Sequence, residues 1–134
     1  MIDIDNLKLI NDTLGHAVGD ATIRAIAHAV RAVIRADDML FRWGSDEFLL
    51  LMFGMPEAEA RRRLETLNGT LAKTSLPCVN APISISVSHG LVAFNAMMEL
   101  EHAIEEADEA MYKRKQVYKA QSKQVEKQGS REVE

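Results

Sequence analysis

Cysteine is almost absent: Cys78 is the only one in 134 residues. A disulfide framework and a thiolate zinc site both need more, so neither is available. The chain also lacks an excess of positive charge. Its formal net charge of −4 argues against general binding to nucleic acid or anionic membranes, since both need a basic face. No apolar run approaches the ~18 residues that span a bilayer. The N-terminus lacks the basic and apolar regions of a signal peptide. These absences lead us to expect a cytoplasmic setting, with no nucleic acid and no membrane as partner. What is present is ordinary for a globular protein: 47% apolar and 27% charged residues, in a length that suits one domain and one core.

Met1 to Ile4 reads as the end of a strand, and Leu7, Ile10 and Leu14 mark one side of a short helix over Leu7 to Leu14. Gly15 to Asp20 interrupts it, and Asp20 is a plausible N-cap for a long helix with apolar positions at Ile23, Ile26, Ala27, Val30, Val33 and Ile34. A hairpin around Gly44 follows. Its second strand, Phe48 to Phe53, is continuously apolar and reads as buried on both faces. Ala60, Leu64, Leu67 and Leu71 give the next helix one apolar face, weakened near its end by Asn68-Gly69. Ser75 to Pro82 reads as a loop. Ile83 to Ser88 alternates like a half-buried strand and continues at Leu91 to Phe94. A final helix carries Leu100, Ala103, Ile104, Ala107 and Met111 inward. The expected fold is α+β, a central, mainly antiparallel sheet with flanking helices. It occupies residues 1–115, and 116–134 reads as a frayed helix end and disordered tail.

The hairpin places two adjacent carboxylates, Asp46 and Glu47, beside an apolar strand. Acids there cost free energy unless a cation meets them, and a divalent metal or a metal-phosphate complex is a usual reason for them. Asp3 and Asp5 end the first strand. An EF-hand reading of that pair fails, because its fifth, sixth and twelfth positions are Leu7, Lys8 and Leu14. Two acidic groups on strand ends remain, an arrangement suited to metal-assisted phosphoryl or nucleotidyl transfer. His28 and His102 read as surface or packing residues within helices, and Arg61-Arg62-Arg63 reads as a solvated face paired with glutamates.

Five stretches together resemble one family. They are Asp3-Ile4-Asp5-Asn6-Leu7-Lys8-Leu9-Ile10-Asn11-Asp12, Gly15-His16-Ala17-Val18-Gly19-Asp20, Arg42-Trp43-Gly44-Ser45-Asp46-Glu47-Phe48, Ser88-His89-Gly90, and Ala107 to Lys115. In this order they resemble the GGDEF diguanylate cyclases, with a variant Gly-Ser-Asp-Glu-Phe signature. The resemblance implies a nucleotidyl-cyclase palm-like fold and the condensation of two GTP into cyclic di-GMP by a homodimer, with pyrophosphate released. It implies Mg²⁺ (or Mn²⁺) held by Asp3, the Ile4 carbonyl and Asp46. Asp46 would assist deprotonation of the attacking hydroxyl, with Glu47 in support. Asn11 and Asp20 would read guanine. Asn6, Leu7, Lys8, Gly44, Ser45, Lys115 and Lys119 would surround the phosphates. Arg35 and Asp38 match the family's Arg-x-x-Asp element, which binds product and inhibits.

The chain departs from the family pattern in three places. Ser45 replaces a glycine, which would matter if that position needed a positive φ. The family has a leading helix and a full first strand before Asp3, so a truncated first strand is expected, with the sensor or dimerisation domain outside this chain. Lys119 stands where the family's arginine would be, without its bidentate fork. The alternative function is a degenerate domain that binds GTP or cyclic di-GMP without turnover.

Overall fold

The computed structural model describes residues 1–76, 84–95 and 100–132. The loop expected around Cys78 and the strand position at Ile83 lie outside the described residues. The chain runs β1 (Ile2–Ile4), α1 (Leu7–Leu14), α2 (His16–Val33), β2 (Met39–Arg42), β3 (Glu47–Leu51), α3 (Glu57–Glu65), α4 (Leu67–Ala72), β4 (Val87–His89) and α5 (Leu100–Glu132). The four strands form one antiparallel sheet in the order β2-β3-β1-β4.

Strand alternation sends side chains to two cores. Ile2, Ile4, Phe48 and Val87 face a large cluster with Leu7, Ile10, Ile26, Val30, Leu64, Leu67 and Leu71 from α1 to α4. Met1 and Leu49 face the other way and meet Ala107 and Met111 of α5. The continuous apolarity of β3 therefore has the expected cause: it is an interior strand with helices on both faces. The parity also determines where chemistry can sit. Asp3 and Glu47 are Cα partners in the β1–β3 register, and both fall on the α5 side.

The structure corrects four local expectations. Asp20 is not an N-cap. The break between α1 and α2 is the single residue Gly15, at φ 91°, so α2 begins at His16 and Asp20 lies exposed within it. The strand expected to continue over Leu91–Phe94 does not form. β4 pairs with Ile2 to Ile4 of β1, and Gly90 N–H donates to the Met1 carbonyl at 2.9 Å where that ladder ends. The helix over Ala60 to Leu71 is split at Thr66 into α3 and α4. Residues 116–132, read from sequence as a frayed end and tail, are helical in α5.

Two residues lock the edges of this sheet. The Asn68 side chain of α4 acts as a substitute strand for the outer edge of β4. Its Nδ2 donates to the Val87 carbonyl at 3.0 Å and its Oδ1 accepts from Val87 N–H at 2.8 Å. At Gly90, an added Cβ would collide with the Ala107 carbonyl oxygen and the Met111 nitrogen, so the end of β4 lies directly on the backbone of α5. The basic run on α3 pairs as expected, Arg61 with Glu57 and both Arg62 and Arg63 with Glu59. Arg63 also donates to the Val33 carbonyl at 3.0 Å, a cation at the C-terminus of α2.

Candidate active site

The β2–β3 turn is shaped by its own backbone and by Arg42. Trp43 and Gly44 N–H groups both donate to the Glu47 carbonyl, at 2.9 and 3.2 Å. The Arg42 guanidinium closes the turn on the Gly44 and Ser45 carbonyls, at 3.2 and 2.8 Å. Asp46 is then tied to β1, because its carbonyl accepts from Ile4 N–H at 2.8 Å. Among the described residues, a positive φ outside glycine occurs only at Asn6. Ser45 therefore sits in ordinary backbone, and its exposed side chain imposes no strain.

Asp3 is the buried centre of the site. Its Oδ2 accepts from Lys115 Nζ of α5 at 2.5 Å, whereas its Oδ1 is buried with no partner among the described residues. Burial, and the Asp46 carboxylate beside it, push the Asp3 carboxyl up to about 6 against the pull of Lys115. Glu47 is also raised, first by burial and then by the negative charges of Asp108 and Asp46. Asp3, Glu47, Asp108, Tyr112, Lys115 and Lys119 line a cleft of about 520 Å³. The strand carboxylates Asp3 and Glu47 face α5, which brings Asp108 and Glu109 as well as the ammonium groups of Lys115 and Lys119 to the cleft, a mixed lining that suits a metal-bound polyphosphate.

Oxygen donors of this kind fit a hard divalent cation. A buried carboxylate oxygen without a donor is costly, and a cation is what would relieve it. Among the described residues no group of three or more His, Cys, Asp or Glu side chains is gathered to hold a metal alone. Two carboxylates and a backbone carbonyl leave the remaining positions to water and phosphate, the habit of Mg²⁺. Asp3, Ile4 and Asp46 are the residues that would hold it.

The other sequence-selected residues divide into two places. Asn6, at φ 59° and ψ 26°, turns the chain from β1 into α1 and donates from Nδ2 to the Tyr118 hydroxyl at 3.5 Å. Leu7 is buried, so only its backbone N–H at the start of α1 can face a phosphate, while Lys8 is exposed. Asn11 on α1 is half-buried and lies against Gly19, next to exposed Asp20 on α2. Arg35 and Asp38 sit apart, beyond the far end of β3. Asp38 is buried, accepting from Arg35 N–H at 2.8 Å and Phe53 N–H at 3.2 Å. The Arg35 guanidinium is about half exposed, 3.6 Å from Asp38, and bonds the Phe53 carbonyl.

Sequence reasoning passed over several contributors. Asp108 lines the cleft, and its place in the α5 motif was the available signal. Asp5, grouped with Asp3 from sequence, has its carboxylate taken by the Ser86 and Ser88 hydroxyls at 2.7 and 2.8 Å. Buried His89 accepts from Arg114 Nη1 at 2.9 Å through Nε2, which leaves the proton on Nδ1.

Comparison with known proteins bears on the family and the fold. The family described as diguanylate cyclase, GGDEF domain, matches residues 1–121. Diguanylate cyclase DosC of Escherichia coli K12 is 38% identical over 113 residues, covering 84% of this chain and 25% of DosC. The chain thus spans about a quarter of that relative's length. Diguanylate cyclase SiaD of Pseudomonas aeruginosa, solved with its activator SiaC, superposes with a TM-score of 0.79 at 28% identity, covering 87% of this chain and 45% of SiaD. The GGDEF domain of Caulobacter crescentus DgcB, solved with c-di-GMP, gives 0.78 at 27% identity, covering 86% and 69%. The chain belongs to the diguanylate cyclase GGDEF domain family.

Proposed function

We propose that this domain condenses two molecules of GTP into cyclic di-GMP, each chain of a homodimer presenting one GTP to the other. The observation that carries the proposal is the buried Asp3 Oδ1, unpartnered among the described residues, in a cleft where α5 sets Lys115 and Lys119 beside the carboxylates. In each half-reaction a 3′-hydroxyl oxygen attacks the α-phosphorus of the facing GTP. The bond to the β-phosphate breaks, pyrophosphate leaves, and the hydroxyl proton passes to base. Asp46 is the group assisting that proton's departure, and Glu47 supports the constellation across the register from Asp3. A divalent ion bound by Asp3, Ile4 and Asp46 would supply phosphate charge neutralisation and polarisation.

The chain's own residues do the rest. The backbone at Asn6 and Leu7, with Lys8, Gly44 and Ser45, meets phosphate oxygens. Lys115 and Lys119 add positive charge from α5. Asn11 and Asp20 read guanine, whose N1–H and exocyclic amine are donors that adenine does not offer as a pair. Arg35 is the accessible member of the product-inhibition element. Asp38 is committed to backbone N–H groups and holds that corner of the fold in place.

A second reading, a domain that binds the nucleotide without turnover, is favoured by one contact: Lys115 sits on the carboxylate the metal needs. Incubation with GTP and Mg²⁺, followed by chromatography, separates the two. Cyclic di-GMP and pyrophosphate from the wild type, lost in Asp46→Ala, support catalysis. Retained cyclic di-GMP binding with no product supports the second reading and overturns the first.

A further inference from the structure

Gly19 occupies the fourth position of α2, where glycine is a poor helix former. Its backbone needs no special freedom, since the positive φ values among the described residues belong to Asn6, Gly15 and Gly54. The reason for glycine is spatial. A Cβ built on residue 19 would collide with Asn11 Oδ1 and lie 2.8 Å from Asn11 Cγ, with Nδ2 farther off at 3.4 Å. The side-chain carbonyl of Asn11 thus rests on the bare Cα of Gly19, the two residues coming from helices that the single residue Gly15 joins. The backbone adds a second tie, Gly15 N–H donating to the Asn11 carbonyl at 2.9 Å.

We infer that Gly19 is a positioning residue for base recognition: the space left by its missing Cβ seats the Asn11 carbonyl and thereby sets the direction of the Asn11 amide. The inference rests on the reading of Asn11 as a guanine-recognition residue. An amide distinguishes guanine from adenine by where its donor and acceptor point, so a rotated Asn11 loses discrimination even where the nucleotide still binds through its phosphates. Replacing Gly19 with alanine keeps α2 helical, and alanine is the better helix residue. Only the seat is lost.

The test uses four chains: wild type, Gly19→Ala, Asn11→Ala and the double variant. The probes are α,β-methylene analogues of GTP and ATP, which cannot release pyrophosphate, and each chain is also melted. The wild type should prefer the guanine analogue, and Gly19→Ala should lower that preference about tenfold, as expected for a lost base contact. In the Asn11→Ala background the same substitution should leave the preference unchanged and raise the melting temperature, because the collision is gone and helix propensity remains. Unchanged preference in Gly19→Ala, from a wild type that discriminates, overturns the inference. So do equal losses in both backgrounds, which would mark Gly19 as a packing residue acting independently of Asn11. If the wild type shows no guanine preference, the recognition reading falls and takes this inference with it. The melts identify that failure: a Gly19→Ala effect on melting that differs between the two backgrounds shows the seat intact and the recognition role wrong.

Discussion

At Ser45 the family's glycine is replaced without backbone consequence, since the residue is exposed and outside the left-handed region. Its carbonyl accepts from Arg42, and both that bond and the proposed backbone contact to phosphate are ones any residue supplies. Ser45→Gly should therefore change cyclic di-GMP formation by no more than about threefold, the range of a neutral surface substitution. A large gain in turnover would show the serine to be inhibitory. Asp3 behaves differently. Millimolar Mg²⁺ should raise the melting temperature of the wild type and not of Asp3→Asn, because only a ligand bound to the folded state stabilises it. His89 gives a pH signature. Burial, then the charge of Arg114, lowers it from 6.5 to about 4. The unfolded chain takes up that proton as pH falls through 6.5, while the folded chain resists until about 4, so stability falls as pH drops across that window. The full effect is on the order of 3 kcal/mol. Denaturation at pH 7 and pH 4.5 should show a smaller loss for His89→Gln than for the wild type, and equal losses would contradict the assignment.

Among the elements, the junction of β4 and α5 carries the sharpest expectation. Gly90→Ala places a methyl group into the backbone of Ala107 and Met111, and neither strand nor helix can yield cheaply. We expect a loss of about 3 kcal/mol by chemical denaturation. Asn68→Ala leaves the Val87 N–H and carbonyl unpaired at a buried edge and should cost about 2 kcal/mol. Elements whose signals are local were legible in the sequence. The apolar side of α1 is legible at Leu7 and Ile10, although Leu14 is exposed, and the interior place of β3 follows from its unbroken apolar run. The start of α2 was misread because Asp20 has the chemistry of a cap, while the actual break needed only Gly15. The extent of β4 and the pairing of Asp5 with Ser86 and Ser88 depend on partners more than 80 positions away, which no local pattern records.

On the scale of the whole molecule, the site is where two parities coincide. Strand alternation brings Asp3 and Glu47 to the α5 face, and helical spacing on α5 sets Lys115 and Lys119 opposite them in one cleft. From sequence, the two acidic groups were visible but their meeting was only an expectation. Asn11 and Asp20 on α1 and α2 and the Arg35–Asp38 corner lie outside that cleft. The proposed condensation would take two chains, each bringing a GTP. The most direct measurement is the rate of cyclic di-GMP formation from GTP and Mg²⁺ across a dilution series of the wild-type chain, with Asp46→Ala beside it. A condensing homodimer should give product whose rate per chain rises with protein concentration and which is absent from the variant. No product at any concentration from a cooperatively folded wild type, or equal product from Asp46→Ala, would contradict it.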